Sequence, residues 1–528
     1  MIFEKRVGLG DFEMSVSVNN KRIAKNTIML YCRMAVTMGI SLYTSRVILE
    51  VLGVDNFGIY NVVGGVVFLF GFLNTAMATA TQRFLNFWLG KNDLIQTSRV
   101  FSMALSVHGV ISVVVLLLAE TIGLWFLNVK LNIPADRMSA ANWVYQFSVF
   151  TTILGIMLVP YHAVIIAYEK MSFYALMSIV NAVLKLVIVY ILIFSPFDAL
   201  VYYAFLVFVV GILNQIAYIW YSKKLFGYVA KYCRFWDVDL FKELFGFSGW
   251  SLFGGVANMC NSQGINMVLN IFCGVVLNAA MGITTQIQGA VGQFVGNFQL
   301  AFSPQLTKLY AAGKQEEFIR LIFRASKFSY FLMFFITLPF ILNMDFVLNI
   351  WLTEVPEYTS VFAQWLLVFM LIDALSGPLW MSVQARGKIK NYQLIVSCFI
   401  FLSLPLAILV LWLGFSPVWV VVIKTGINLW VHLWRIFYLR KQVALPARKY
   451  LWEVCARVFF VSVISSILPL ILWIYCSADF INGWGRFLSV CFVSAVTTSI
   501  CVWLLGFNRQ ERRAIANMFF SKFIKQKG

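Results

Sequence analysis

Fourteen apolar runs, each long enough to cross a bilayer as a helix, constrain this chain more than any other feature. A transmembrane helix needs about 20 apolar residues, and these runs lack the polar alternation of a membrane β-strand. The 528 residues are 61% hydrophobic and 12% charged, which excludes a soluble globular protein. The sequence therefore predicts an all-α polytopic membrane protein. Its predicted spans are 26–49, 59–85, 99–128, 142–167, 173–195, 198–221, 243–272, 276–303, 327–352, 359–384, 392–414, 416–440, 451–476 and 485–506.

The chain also repeats itself at long range. Residues 81–101 match residues 304–324 at an offset of 223, and residues 160–174 match residues 378–392 at an offset of 218. The matching pairs are Gln82/Gln305, Gly90/Gly313, Lys91/Lys314, Pro160/Pro378, Ala167/Ala385, Lys170/Lys388 and Tyr174/Tyr392. We therefore expect two pseudo-symmetric lobes of six helices plus two extra C-terminal helices. In membrane proteins built this way, functional sites lie near the bilayer midplane between the repeats.

The repeat and the apolar runs together predict how the chain is divided. The tail carries apolar residues at helical spacing among basic ones, so it is predicted to be an amphipathic interfacial helix. Translation can start at Met1 or at Met14. The predicted segments are an N-terminal segment 1–25, an N-lobe 26–221 (helices 1–6), a linker 222–242, a C-lobe 243–440 (helices 7–12), helices 13–14 within 441–506, and the tail 507–528.

The formal charge of +19 is distributed in a way that predicts orientation. Most of the 41 Lys and Arg residues lie at the two termini and in the loops after even-numbered helices. The opposite loops hold only Lys130, Arg137 and Arg486. By the positive-inside rule, both termini and the basic loops are cytoplasmic. The charge therefore reports topology, with membrane lipids as a secondary partner, and no soluble domain is present to bind nucleic acid.

Charges within the spans are where function is expected, since each costs about 2.5 to 3.5 kcal/mol at a helix centre unless it is paired or hydrated. On helix 1, Asn26, Arg33, Thr37 and Thr44 share one polar stripe, which predicts a wet or anionic environment for Arg33. Arg46, nearer the end of that helix, is either a cavity residue or an arginine that reaches the interface. Lys185 on helix 5 is either a charge in the lumen or a lysine that contacts polar neighbours.

The second half of the chain carries one acid and one base at mid-span. Asp373 lies on helix 10 and Lys424 on helix 12. A buried acid and base on neighbouring helices most often form a structural ion pair. Coupling of transport to an ion is the alternative for the same two residues.

Helices 7 and 8 are unusually rich in amide side chains for membrane spans. Amides donate and accept hydrogen bonds without fixing a charge, so they suit a lumen that offers partners to sugar hydroxyls. Interhelical hydrogen bonding is the other interpretation. The candidate cavity residues are Gln286, Gln293 and Asn297 on helix 8 and Asn261 and Asn266 on helix 7.

No pattern indicates catalysis. His108, His162 and His432 lie singly on three helices, and the nine cysteines include no Cys-x-x-Cys pair. A glycine-rich phosphate-binding loop with its lysine is also missing from the sequence. We therefore expect no metal, no cofactor, no ATP hydrolysis and no enzymatic activity.

Residues 20–93 resemble the first two helices of bacterial polysaccharide transporters, the lipid-linked oligosaccharide or O-antigen-type flippases. These belong to the multidrug/oligosaccharidyl-lipid/polysaccharide exporter superfamily. The most specific parts of the resemblance are the turn LGVDNFGIY at 52–60 and the sequence TQRF at 81–84. Helices 13 and 14 resemble the extra pair in the peptidoglycan-precursor flippase, where such helices form a groove for the lipid tail.

The resemblance implies a V-shaped pair of six-helix lobes whose helices 1, 2, 7 and 8 line a cavity, with Arg33 at the pyrophosphate. The implied cargo is an undecaprenyl-pyrophosphate-linked oligosaccharide. It would move by alternating access from the cytoplasmic to the periplasmic leaflet of the bacterial inner membrane, for capsule or lipopolysaccharide. Glycosyltransferases and a polysaccharide polymerase are the implied partners.

Two alternatives remain open. A multidrug cation exporter of the same superfamily would share the fold, but cation export requires an acidic residue in the first lobe, where helix 1 offers Arg33. A membrane-embedded polysaccharide polymerase would act on the same lipid-linked substrate. Such enzymes typically carry a large outward loop, and every predicted outward loop of this chain is short.

Overall fold

The computed structural model of the protein describes most of residues 26–513. For residues 72–76, 263, 267, 270, 275–276 and 278–279 the structure describes the helical backbone and not the side chains. The predicted N-terminal segment and all but the first residues of the predicted tail lie outside the described residues, as does Arg46. The gaps are residues 42, 45–46, 49, 54–55, 57–58, 61–62, 64–71, 130–132, 234, 274, 353–354, 476–482 and 510.

Within that part of the chain the secondary structure is helical and contains no strand, which confirms the all-α membrane fold. Ten helices, α3–α6 and α9–α14, are long and apolar enough to cross a membrane. The helices are α1 (26–41), α2 (Phe72–Gly90), α3 (Leu94–Val129), α4 (Ala135–Ala167), α5 (Met171–Ile193), α6 (Ala199–Phe226), α7 (Val238–Cys273), α8 (Val275–Ala311), α9 (Gln315–Leu342), α10 (Thr359–Arg386), α11 (Lys390–Trp412), α12 (Val418–Val443), α13 (Ala447–Tyr475) and α14 (Gly483–Gly506).

Helices α7 and α8 differ from the apolar set in composition and length. They have 36 and 37 residues, about 55 Å each at 1.5 Å per residue. Their repeated Asn, Gln and Gly residues lower the mean hydropathy below that of an ordinary span. These two helices are therefore both longer and more polar than a lipid-exposed helix needs to be.

Several helices extend beyond the spans predicted from apolar runs. Helix α9 begins at Gln315 rather than 327, and α8 continues to Ala311 rather than 303. A search for apolar runs detects only the part of a helix that lies in hydrocarbon, so polar first and last turns escape it. The predicted span 327–352 is also interrupted, because α9 ends at Leu342 and a short helix, Met344–Trp351, follows Asn343.

The sequence repeat has a structural counterpart in the turns. Glu169 after α4 and Gly387 after α10 are 218 positions apart, and both have left-handed backbone, with φ of 58° and 88°. The other match shifts by two residues. Gly313 is left-handed in the turn before α9, whereas Asn92 takes that conformation before α3 and Gly90 ends α2.

The chain forms two compact units. The first unit contains residues 26–252 together with Thr307–Gly313, and the second contains 253–306 together with the chain from Lys314 onward. In the first unit α4 packs against α2, α3 and α6, and the hydroxyl of Tyr145 donates to the carbonyl of Ala119, 2.7 Å away. The predicted lobe boundaries at 221 and 243 stay a prediction.

In the second unit α10 packs between α9 and α12. The hairpin of α13 and α14 packs on α9, where Phe331 fits against Gly506. Beyond α14, the carboxylate of Glu511 accepts two hydrogen bonds from the ammonium of Lys327, at 2.8 and 2.7 Å. Both side chains are less than 5% exposed. This buried ion pair fixes the end of α14 to α9.

Candidate functional site

In the first unit, the arginine on α1 lies among aromatic side chains from three other helices. The guanidinium carbon of Arg33 is 5.1 Å from the centroid of the Tyr174 ring at the start of α5. That ring makes an edge contact with His162 of α4, whose ring is 4.0 Å from the ring of Tyr218 on α6. The charge of Arg33 also acts on Tyr218. We call Arg33, His162, Tyr174 and Tyr218 the Arg33 cluster.

The Arg33 cluster stabilises its cation through ring faces. A guanidinium over a tyrosine ring gains about 0.5 to 2 kcal/mol, more as the pair is desolvated. The N–H donors of a guanidinium lie in its plane, in a fork that matches two phosphate oxygens. Such an arrangement can bind a phosphate through two parallel hydrogen bonds.

Two other residues of the predicted polar stripe, Thr37 and Thr44, bond to the backbone of their own helix. The hydroxyl of Thr37 donates to the backbone carbonyl of Arg33 at 2.8 Å and also lies 3.2 Å from that of Met34. The hydroxyl of Thr44 donates to the carbonyl of Ile40 at 2.7 Å. These donors are engaged by backbone, so the guanidinium carries the chemistry of this stripe.

Lys185 does not belong to the Arg33 cluster. It lies on α5, eleven residues beyond Tyr174, which is roughly 16 Å along a helix axis. Its side chain is exposed, and the described residues give it no salt bridge. Arg46, the remaining cation predicted for the first lobe, lies outside the described residues.

In the second unit the predicted amides separate into two groups. Gln286 and Gln293 are exposed on one face of α8. Gly289 and Gly296 lie on the same face at helical spacing. This face is polar and narrow, as expected of a surface that meets water or a polar ligand. The other group comprises Asn261, Asn266 and Asn297.

These three asparagines lie deeper in the second unit. Asn261 is buried and its side-chain oxygen accepts a hydrogen bond from the hydroxyl of Ser403 on α11, at 2.5 Å. Asn297 is buried on α8, and Asn266 is half-buried on α7. Asn261 therefore contributes to helix packing, which was the other interpretation of these amides.

The predicted pair of Asp373 and Lys424 is not in direct contact. The described residues include no salt bridge between them. The ammonium of Lys424 lies 5.2 Å from the ring centroid of Phe369. Arg435 and Lys424 both lie near enough to act on the charge of Asp373. The acid thus has two cationic neighbours at longer range, and Arg435 is the one that sequence reasoning missed.

The repeat relates the aromatic residues of the Arg33 cluster to equivalent residues in the second unit. Tyr392, the equivalent of Tyr174, also lies beneath a guanidinium, because Arg435 of α12 is 5.9 Å from its ring centroid. Trp380 stacks on Tyr392, at the position equivalent to His162. The shared offset of 218 is a signal that could have identified the aromatic partners, although the two arginines come from non-equivalent helices.

Metal chemistry has no support in the described part of the chain. It contains no group of three or more His, Cys, Asp or Glu side chains that could hold a metal ion. The ring of His432 is hydrogen-bonded to Ser376 at 2.8 Å, and both are buried. His108 bonds to the backbone carbonyl of Ala104 at 2.7 Å. The bond of His432 joins α12 to α10, whereas that of His108 lies within α3.

Comparison with known proteins identifies the fold. No protein-family model and no curated protein matches the chain. Three solved structures cover 81 to 82% of it and 96 to 97% of their own length. They are a MATE transporter in the bent conformation (TM-score 0.69, 13% identity), an outward-facing multidrug resistance MATE transporter of the MOP superfamily (0.69, 13%), and a MOP superfamily transporter from Pyrococcus furiosus (0.68, 11%). The Pyrococcus protein is described as having a binding pocket of reverse polarity that suggests a different function. The chain therefore has the fold of the MATE transporters of the MOP superfamily.

Proposed function

We propose that this protein is a flippase that carries undecaprenyl-pyrophosphate-linked oligosaccharide from the cytoplasmic to the periplasmic leaflet of a bacterial inner membrane by alternating access. The observation that carries the proposal is the position of Arg33, a fixed cation on α1 whose guanidinium rests on Tyr174. The partners proposed with it are the glycosyltransferases and the polymerase that act on the same lipid-linked intermediate.

A pyrophosphate is the cargo group that suits this cation best. A guanidinium can meet two phosphate oxygens at once, and in a low-dielectric surrounding such charge-assisted bonds are short and strong. A cationic drug would instead be repelled. The described residues of α1, 26–41, contain no carboxylate that could offset the charge.

The sugars of such a cargo need neutral partners. Gln286 and Gln293 on the exposed face of α8 supply both donors and acceptors. Gly289 and Gly296 keep that face free of bulky side chains. The polyprenyl tail needs no protein cavity, because it can remain in the lipid while the polar head group crosses.

Export of cationic drugs is the second candidate function. It is favoured by the fold, since one of the similar structures is a multidrug resistance transporter. The description of the Pyrococcus furiosus transporter is relevant here, because it associates reverse pocket polarity in the same fold with a different function. Arg33 gives the first unit of this chain the polarity that favours an anionic cargo.

Replacement of Arg33 tests the proposal. In a bacterial strain that lacks its own flippase, Arg33→Ala should abolish surface glycan, and Arg33→Lys should retain part of it because a point charge remains. Arg99→Ala is a matched control, since Arg99 also lies over a ring of the first unit, 5.1 Å from the centroid of Phe235. The control should give normal glycan. Normal glycan from Arg33→Ala, or loss of glycan only in proportion to loss of protein from the membrane, would contradict the proposal.

A further inference from the structure

Helices α7 and α8 each continue from one compact unit into the other. The start of α7, Val238 to Leu252, belongs to the first unit, as does Thr307 to Gly313, which comprises the end of α8 and the turn after it. The rest of both helices belongs to the second unit. The positive-inside rule predicts that these ends are cytoplasmic. We call residues 307–313 the latch segment.

The latch segment lies against the end of α2 at a point where only glycine fits. A Cβ atom at Gly90 would lie 2.5 Å from the backbone oxygen of Lys308 and 2.9 Å from the Cβ of Ala311. Neither neighbour is a flexible side-chain tip that can move aside. The two backbones are therefore in direct contact.

An ion pair holds the latch segment on its other side. The ammonium of Lys308 donates to the carboxylate of Glu169 at 3.0 Å, and the Glu169 side chain is 3% exposed. Glu169 occupies the left-handed turn after α4, where the repeat places Gly387. A non-glycine residue is strained in that conformation. Such an outlier points to a function for the side chain that is there, and the contact with Lys308 supplies one.

The start of α7 is held on α2 by aromatic contacts. The ring of Phe247 meets the ring of Phe84 edge-on at 6.2 Å. The guanidinium of Arg83 lies 4.4 Å from the centroid of Phe84 and 5.7 Å from that of Phe247. The start of α7 and the end of α8 are thus both fixed to α2 of the first unit.

We propose that the contact of Glu169 and Gly90 with the latch segment is a releasable latch. When the latch is closed, the ends of α7 and α8 stay with the first unit. When it opens, both ends are released from the first unit. The proposal rests on transport by alternating access and is independent of which cargo is carried.

A charged contact suits this role because it is either made or broken. The Glu169 side chain is 3% exposed, so separation from Lys308 removes a stabilising charge from a buried carboxylate unless water enters. Strain at Glu169 lowers the barrier to release, since the turn can relax when the carboxylate is freed. The geometry therefore favours two discrete states.

The first test measures the exposure of the latch segment without any cargo. Thr307, which is buried, is replaced by cysteine in a protein whose native cysteines are removed, and its reaction rate with a water-soluble maleimide is measured in detergent. Glu169→Gln should raise the rate roughly tenfold, the effect of about 1.4 kcal/mol. Gly90→Ala should do the same without any change of charge. Exchange of the two charges, Glu169→Lys with Lys308→Glu, should restore the slow rate.

Two variants serve as controls for the loss of a charge and for the added Cβ. Asp198→Asn removes the charge from an exposed ion pair with Arg137 in the same unit, and Gly109→Ala adds a Cβ that meets nothing within 4 Å. Both should leave the rate unchanged. An unchanged rate in both Glu169→Gln and Gly90→Ala would overturn the latch.

The second test asks whether release is required for transport. Cysteines at Glu169 and Lys308 are joined by a reducible bifunctional thiol reagent in proteoliposomes. Transport should stop on cross-linking and return on reduction. Transport that continues after complete cross-linking would overturn the latch, whereas a protein that reacts as expected in the first test but moves no glycolipid would contradict only the proposed cargo.

Discussion

At the residue scale, cations in the two units are stabilised by two kinds of partner. Lys308 and Lys327 meet carboxylates at hydrogen-bonding distance. Arg33 and Arg435 lie over tyrosine rings. A ring stabilises a cation without neutralising it. The two kinds of contact therefore differ in whether the partner carries a charge.

The ion pair of Asp198 and Arg137 gives a prediction with a pH dependence. Burial alone would raise the pKa of Asp198, but a hydrogen bond from the backbone N–H of Val201, the guanidinium of Arg137 and the N–H of Leu200 lower it below its ordinary value. The folded state therefore favours the ionised form. Its contribution to stability is complete above the ordinary aspartate pKa, about 3.9, and is lost as the pH falls below it.

Asp198→Asn removes the charge of this residue and keeps a side chain that can cap α6. Asparagine can still cap α6, so the variant should lose less than about 1 kcal/mol at pH 7, as expected for an exposed pair. Asp198→Ala removes the cap as well and should lose about 1 kcal/mol more. The measurement is the melting temperature in detergent between pH 7 and pH 3. A difference between wild type and Asp198→Asn that stays constant over this range would contradict the assignment.

Arg33 was identifiable from the sequence because a charge within an apolar run is visible without any structure. Its neighbours were harder to assign, since His162, Tyr174 and Tyr218 come from three separate helices. In a chain that is 17% aromatic, the repeat was the signal available for them, through the match of Tyr174 with Tyr392. Asp373 and Lys424 were both visible for the same reason as Arg33. The distance between the side chains of Asp373 and Lys424 could not be inferred from the sequence, because the depth and rotation of their two helices determine it.

At the element scale, helix ends decide much of the architecture. Apolar runs predicted the helices but missed the polar turns that extend α8 and α9, and the contacts that fix helix ends lie in such turns. The end of α14 is an example. Asn508 and Glu511 cap each other reciprocally, each backbone N–H donating to the side chain of the other at 2.9 Å. Glu511 also reaches Lys327.

Loss of one partner in the pair of Glu511 and Lys327 should be more damaging than loss of both. Glu511→Leu leaves a buried ammonium without its carboxylate and should cost about 3 to 5 kcal/mol. Glu511→Leu combined with Lys327→Met should recover most of that loss. Glu317→Gln, which breaks a partly exposed pair with Lys314 at the start of α9, should cost less than about 1 kcal/mol. Thermal unfolding in detergent reports all three, and additive effects of the two single substitutions would show that the side chains do not interact.

At the scale of the whole molecule, the sequence predicted the helix count, the duplication and the orientation from three separate patterns. The fold comparison confirms the all-α transporter fold. It leaves the orientation untested. The sequence did not predict that the start of α7 and the end of α8 belong to the first unit. A repeat in sequence does not show in which unit each part of a helix packs.

Orientation can be tested with single cysteines at Lys231 and Gln315, both on exposed positions of predicted cytoplasmic segments. The positive-inside rule predicts that an impermeant thiol reagent leaves both unlabelled in intact cells and labels both after permeabilisation. A cysteine at Phe197, an exposed residue of the opposite loop, should be labelled in intact cells. Labelling of Lys231→Cys or Gln315→Cys from outside would reverse the assigned orientation.

The most direct test of the central claim is translocation by the purified protein in liposomes. Polyprenyl-pyrophosphate-linked oligosaccharide is placed in one leaflet, and its arrival in the other is followed with a sugar-binding protein that cannot cross the membrane. We expect movement by the wild type, loss of movement in Arg33→Ala, and no transport of a cationic dye in parallel vesicles. Transport of the dye without movement of the glycolipid would rule out the flippase and assign the protein to drug export.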